Sequence, residues 1–184
     1  MSSPSALQDV ASERAVLGCV LMDNAVLSNI QEILIAEDFS VPAHADIYRA
    51  IVALDSRSER VDPLTVAEQL KTDGKLAAAG GPGYLAQLDQ AVPFAQNAVE
   101  YANIIKNQST RRLLATAGRE ILDLATQETG DVAELLDEAE RKVFHIAEKR
   151  RAGDLRPMSD LMDEALVLLD KMKQSGGGVT GVGS

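Results

Sequence analysis

Two long runs of apolar residues at helical spacing, one directly after the other, constrain this chain more than any other feature. Tyr101, Ile105, Leu114, Ala117, Ile121 and Leu124 support one long helix over about 97–126. Val132, Leu135, Leu136, Ala139, Val143, Ile146 and Ala147 do the same for a second helix that opens after Gly130. Within the second run, positions 132, 135/136, 139, 143 and 146 approach a heptad seam. Asp131 stands where an N-cap belongs, with Glu134 three residues on, as in a capping box. Lys149, Arg150 and Arg151 suit the negative end of the helix dipole. So few residues join the two helices that they must run antiparallel as a hairpin. A hairpin of this kind cannot bury both of its faces internally. Its leftover apolar surface either folds back on the rest of the chain or marks an oligomer or partner interface, and the second reading is preferred.

The first half reads as shorter helices. Residues 1–8 are small and polar, are interrupted by Pro4, and are expected to be disordered. A helix starts near Asp9 and carries Val16, Cys19 and Val20 on one face, and Asp23-Asn24 breaks it. Leu27, Ile30 and Leu34 mark a second, stopped before Asp38-Phe39. Ser40 is placed to cap a third, with Pro42 in its first turn and Ile47, Ile51 and Leu54 along its stripe. Asp62 as N-cap and Pro63 at the first helical position give the clearest start, and Gly74 is a left-handed terminator. Gly80, Gly81 and Gly83 turn the chain into a helix with Tyr84, Leu85 and Leu88, ended by Pro93. Hydrophobic residues are 46% of the chain but aromatics only 3%, with no Trp. A core of Leu, Ile, Val and Ala suits packed helices better than sheets. The expected fold is therefore all-α, with a compact bundle of about five short helices over 9–93 and the hairpin over 94–152. Beyond it, 153–184 reads as a hinge, an amphipathic helix over 159–174 and a Gly-rich tail. That helix aligns Leu161, Ala165, Leu168 and Met172, and so short a helix needs a surface to lie on.

Several function classes are disfavoured. A formal net charge of −10 would repel phosphates, which argues against autonomous DNA binding. The single cysteine, Cys19, excludes an internal disulfide, reads as a small buried hydrophobe and fits a reducing cytoplasm. Met1 to Leu7 lack a signal-peptide pattern, and no apolar run approaches the roughly 18 residues of a membrane span. The two histidines, His44 and His145, have no metal-ligand spacing and read as packing or hydrogen-bonding residues. Gly80-Gly81-Pro82-Gly83 lacks the Lys-Ser/Thr of a phosphate loop and reads as a turn. Arg111, Arg112 and Arg119 form a solvated face or a protein contact, with no aromatic platform for bases beside them.

Taken together, several segments resemble the N-terminal domain of the DnaB family of replicative helicases. They are Ser12 to Gly18, Asp38-Phe39 with His44 and Ile47-Tyr48, Val61 to Val66, and Gly80-Gly81 with Tyr84-Leu85. Pro93, Asn97, Tyr101-Ala102 and Arg111-Arg112 complete the set, whose order and spacing run over roughly 10–150. Leu155 to Gly181 resembles the family's linker helix and the run ahead of its motor domain. The resemblance implies that the chain is a fragment lacking the RecA-like motor, with no cofactor of its own; ATP and Mg would belong to that motor. It implies a hexameric ring with a collar arranged as a trimer of dimers, paired through the hairpin, where Leu135, Leu136, Ala139, Val143 and Ile146 are expected. It implies docking of the primase C-terminal domain, with Tyr84, Arg112, Leu114 and Ile121 as expected contacts, or of a helicase loader. It implies that the linker helix docks through Leu161, Ala165, Leu168 and Met172 on a neighbouring motor, and that DNA is met only by the full-length ring. The competing readings are a stand-alone helical nucleic-acid-binding or replication-adaptor domain, and a small helical enzyme with an unrecognised site.

Overall fold

A computed structural model of the chain describes residues 7–90, 97–126 and 131–152. Residues 1–6, Pro93, Gly130, the hinge, and the linker helix with Leu161, Ala165, Leu168 and Met172 lie outside the described residues. Among the described residues seven α-helices follow one another: α1 (Val10–Met22), α2 (Leu27–Gln31), α3 (Pro42–Ser56), α4 (Pro63–Thr72), α5 (Gly81–Gln90), α6 (Ala98–Ala125) and α7 (Val132–Ala152). Two 3-10 turns, Asn24–Val26 and Ala36–Asp38, flank α2, and there is no strand among the described residues. The all-α expectation holds.

The bundle is organised around α1, which is enclosed on every side over residues 16–21. Val16, Leu17, Cys19 and Val20 are fully buried, and so is the carboxylate-bearing Glu13. A helix apolar all round must be central, and α3, α5 and α6 pack against it. Asp9 caps α1 by accepting from Ser12 N at 2.9 Å. At the other end Asn24 donates to the carbonyls of Val20 and Val61, both at 2.8 Å, which ties the end of α1 to the entry of α4. The α4 start agrees with its sequence signals. Asp62 Oδ1 accepts from Leu64 N and Thr65 N at 2.9 Å, Pro63 opens the helix, and Gly74 closes it at φ 69°.

Two local expectations are corrected. The second helix ends at Gln31 rather than continuing through Leu34. Leu34 is still buried, because the chain turns back through Ala36–Asp38, where Asp38 Oδ2 accepts from Ile35 N at 2.9 Å. Ser40 does not cap α3; Val41 holds that position. The Ser40 hydroxyl and N–H both donate to Glu13 Oε1 at 2.6 Å, so its hydrogen-bonding capacity goes to a tertiary partner.

The 28-residue α6 belongs to both parts of the molecule. Ala98, Ala102, Ile105 and Ser109 form its buried stripe against the bundle. Lys106 Nζ reaches buried Asp38 at 3.0 Å, and Arg112 donates to the carbonyls of Leu7 and Asp38. Beyond Arg112 the neighbour of α6 is α7.

Candidate interaction surface

Asp131 Oδ1 accepts from Ala133 N at 3.1 Å and opens α7, which runs back along the outer half of α6. One stripe of α7 faces α6. Leu135, Glu138, Ala139 and Lys142 are half-buried and Ile146 is buried. Across from them Ala117 is buried and Leu113, Ile121 and Leu124 are half-buried. Lys142 Nζ lies 2.8 Å from Glu120 on α6 and 3.6 Å from Glu138 on its own helix. The Glu120 hydrogen bond, partly offset by desolvation, holds the Lys142 pKa above its ordinary value.

A second stripe of α7, rotated away from α6, is uncovered. Val132, Leu136, Val143 and Phe144 are 69%, 61%, 51% and 61% exposed. On α6, Leu114 and Leu122 are exposed as well. Ile121, Ala139, Val143, Phe144 and Ala147 line an apolar groove along the hairpin, edged by Asp137, Glu140 and Arg141. A soluble helix normally hides one apolar face and wets the other. Here one helix carries two apolar faces, and a single neighbour covers only one.

The five residues expected to pair copies therefore divide. Leu136 and Val143 stand on the uncovered stripe, and Leu135 and Ala139 on the half-buried flank. Ile146 is 8% exposed, enclosed within the hairpin, and its face is turned to α6. Val132 joins the uncovered stripe. Phe144 was not among the expected residues, because it falls off the heptad seam. Its signal was chemical rather than periodic: a large aromatic in a chain with three Phe, placed between Val143 and His145.

The four expected partner contacts divide too. Leu114 is exposed and Ile121 half-buried at the groove. Arg112 is held inside the molecule by the two carbonyl bonds described above. Tyr84, on α5, is half-buried and joins a polar cluster within the bundle. His44 Nδ1 lies 2.6 Å from Glu13 Oε2, and His44 Nε2 lies 2.6 Å from the Tyr84 hydroxyl. An ionised carboxylate only accepts, so Nδ1–H donates to Glu13, while Nε2 shares a hydrogen bond with the Tyr84 hydroxyl. Burial acts to raise the Glu13 pKa, but the hydrogen bonds from His44 and Ser40 outweigh it and hold it below the usual carboxylate range. The Arg14 guanidinium sits 5.9 Å over the Tyr84 ring. Carboxylate, imidazole and hydroxyl in series superficially resemble a catalytic relay. Every Glu13 oxygen is already engaged with α3 or its entry, so the cluster fastens α1, α3 and α5 together. The packing or hydrogen-bonding role expected of His44 is the one it has.

Among the described residues no group of His, Cys, Asp and Glu could hold a metal ion, and no helix is long and apolar enough to cross a membrane.

Comparison with known proteins agrees with this geometry. The family model described as the DnaB-like helicase N terminal domain matches residues 5–107. Among curated proteins, the replicative DNA helicase DnaB of Geobacillus stearothermophilus is 36% identical over 176 residues, covering 95% of this chain and 38% of that protein. The replicative DNA helicase DnaB of Mycobacterium leprae is 37% identical over 172 residues, covering 92% of this chain and 28% of that protein. The chain thus spans well under half the length of these relatives. Among solved structures, the N-terminal domain of DnaB helicase from Mycobacterium tuberculosis superposes with a TM-score of 0.71 at 38% identity, over 75% of this chain and 97% of that one. A DnaB-like replicative helicase, described with its interactions with primase, superposes with a TM-score of 0.69 at 25% identity, over 96% of this chain and 39% of that one.

Proposed function

The chain belongs to the family of DnaB-like helicase N-terminal domains, and from that premise we propose that it acts as the assembly collar of a bacterial replicative DNA helicase. In this reading the hairpin pairs subunits into dimers, and three dimers complete a hexameric ring. The same collar docks the C-terminal domain of primase during DNA replication, or a loader that delivers the ring. The helicase activity, with its ATP and Mg, belongs to a motor domain outside these residues, and the assembled protein works in the cytoplasm.

The observation that carries the proposal is the uncovered stripe of Val132, Leu136, Val143 and Phe144 on a helix whose other apolar face is already satisfied. Burying such side chains between copies is worth roughly 25 cal/mol for each Å² of apolar surface removed from water. The negative total charge supports protein rather than nucleic-acid partners.

Light scattering on the chain, followed by titration with primase C-terminal domain, tests the reading. A dimer or hexamer that binds primase is expected. A chain that stays monomeric at high concentration and ignores primase would overturn it.

A further inference from the structure

The apolar groove of the hairpin opens near the end of α7. Ala147, Phe144, Val143 and Ala139 line it in turn, with Ile121 of α6 across from them, and it runs back to Asp137. α7 stops at Ala152, and residues 153–158 separate it from the amphipathic segment 159–174. Helix pairs in bundles are joined by about 2–8 residues, so this spacer suffices for a full reversal. As a helix the segment would measure roughly 24 Å, against roughly 15 Å for α7 between Ala147 and Asp137. Leu161, Ala165, Leu168 and Met172 fall at i, i+4, i+7 and i+11, a stripe long enough to fill the groove. Charge agrees with a reversal. Residues 132–140 carry Glu134, Asp137, Glu138 and Glu140 and no base, whereas α7 ends on Lys149, Arg150 and Arg151. The segment opens with Asp160, Asp163 and Glu164 and closes with Lys171 and Lys173, beside Asp170. Folded back, its acidic start meets the basic end of α7 and its two lysines reach the acidic half. Glu138 is already engaged by Arg141 at 3.2 Å. Asp137 and Glu140 stay exposed at the groove's edge and form no ion pair among the described residues.

We infer that the chain's own segment 159–174 seats antiparallel in this groove as a third helix, covers Val143 and Phe144, and so competes with the pairing of copies. One apolar stripe cannot rest in the groove and on another surface at once. When the segment docks elsewhere, the hairpin face is released. Assembly is thereby made conditional on the segment having found its other surface. The competition rests on the hairpin being the surface through which copies pair; the seating does not.

Hydrogen exchange on the full chain, at a concentration where it is monomeric, tests the seating. Amides of 159–174 should exchange about 3-fold more slowly than in an unstructured chain, at a level independent of protein concentration. Phe144→Asp should remove that protection. Asp137→Lys with Glu140→Lys should remove most of it, and adding Lys171→Glu with Lys173→Glu should restore it. Unprotected amides, protection indifferent to the groove variants, a charge swap that does not restore it, or protection that grows with concentration would overturn the seating. Sedimentation equilibrium tests the competition. Leu161→Asp with Leu168→Asp should pair about 10-fold more tightly than wild type, roughly the square of the protection, because both copies must be open to pair. Equal or weaker pairing would overturn the competition. If neither wild type nor this variant pairs at any concentration, the hairpin reading fails, and the exchange result decides the seating by itself.

Discussion

His44 and Glu13, 31 residues apart in sequence, meet side chain to side chain at 2.6 Å, each 1% exposed. The pair holds α3 to the central helix, and Ser40 and Val41 add their N–H groups to the same carboxylate. Glu13→Ala leaves a buried imidazole and two backbone donors without an acceptor. It should cost about 3 kcal/mol of stability, the usual penalty for removing one partner of a buried pair, read from urea denaturation. A variant that melts with wild type would show that the cluster adds nothing.

Acid should unfold the bundle through the same carboxylate. Its folded pKa lies below the ordinary value of 4.5, so its contribution is full above that value and is lost as pH falls through the folded one. Asp62, held low chiefly by the Thr65 N–H, and Asp46, held low chiefly by Lys75, act in the same direction. Thermal midpoints should be flat from neutral pH down to the region of 4.5 and should drop below it, and the drop should be shallower in Glu13→Ala. An unchanged acid slope in that variant would assign the effect to other groups.

Asp62→Ala removes the acceptor that caps α4 and should cost about 1 kcal/mol, a shift of about 2–4 °C in Tm by calorimetry. Asp62→Asn should recover most of it, because the amide oxygen caps equally well.

Leu136→Asp and Val143→Asp should leave the circular dichroism and Tm of the chain close to wild type while lowering its sedimentation mass, because both side chains are exposed in one copy. Ile146→Asp should behave differently, since it places a charge in the closed side of the hairpin. Its Tm should fall even at concentrations where wild type is monomeric. Equal effects from all three would contradict the division of α7 into a covered and an uncovered face.

Gly80 has φ 91°, and a Cβ there would stand 2.9 Å from Tyr84 Cβ. Gly74 also has positive φ, at 69°, but opens onto empty space. Gly74→Ala should therefore cost only the left-handed strain, about 1 kcal/mol, and Gly80→Ala about 2 kcal/mol or more. Denaturant midpoints of the two variants should separate; coincident midpoints would mean that α5 shifts freely to make room.

Local signals in the sequence carried most of the fold. Asp62-Pro63 and Gly74 bound α4 where capping chemistry places them, and the apolar spacing located α6 within a residue at either end. What escaped was set by partners distant in sequence. Ser40 has the chemistry of an N-cap but spends it on Glu13, 27 positions away, and Arg112 reaches back to Leu7 across 105. The heptad pattern found the apolar residues of α7 but could not sort them between two faces. A period of 3.5 describes a stripe and not which neighbour covers it. Ile146 was thus grouped with Leu136, and Phe144 was passed over although it is among the most open large side chains in the hairpin.

Because α6 passes unbroken from the bundle into the hairpin, the two regions share one stiff rod of roughly 40 Å, at 1.5 Å per residue. A push at its outer end has no joint in which to dissipate. Whatever tilts the hairpin must also rotate the inner stretch of the rod, wedged beneath α1 and pinned at Lys106 and Arg112. Leverage applied at the tip would be felt at the heart of the bundle.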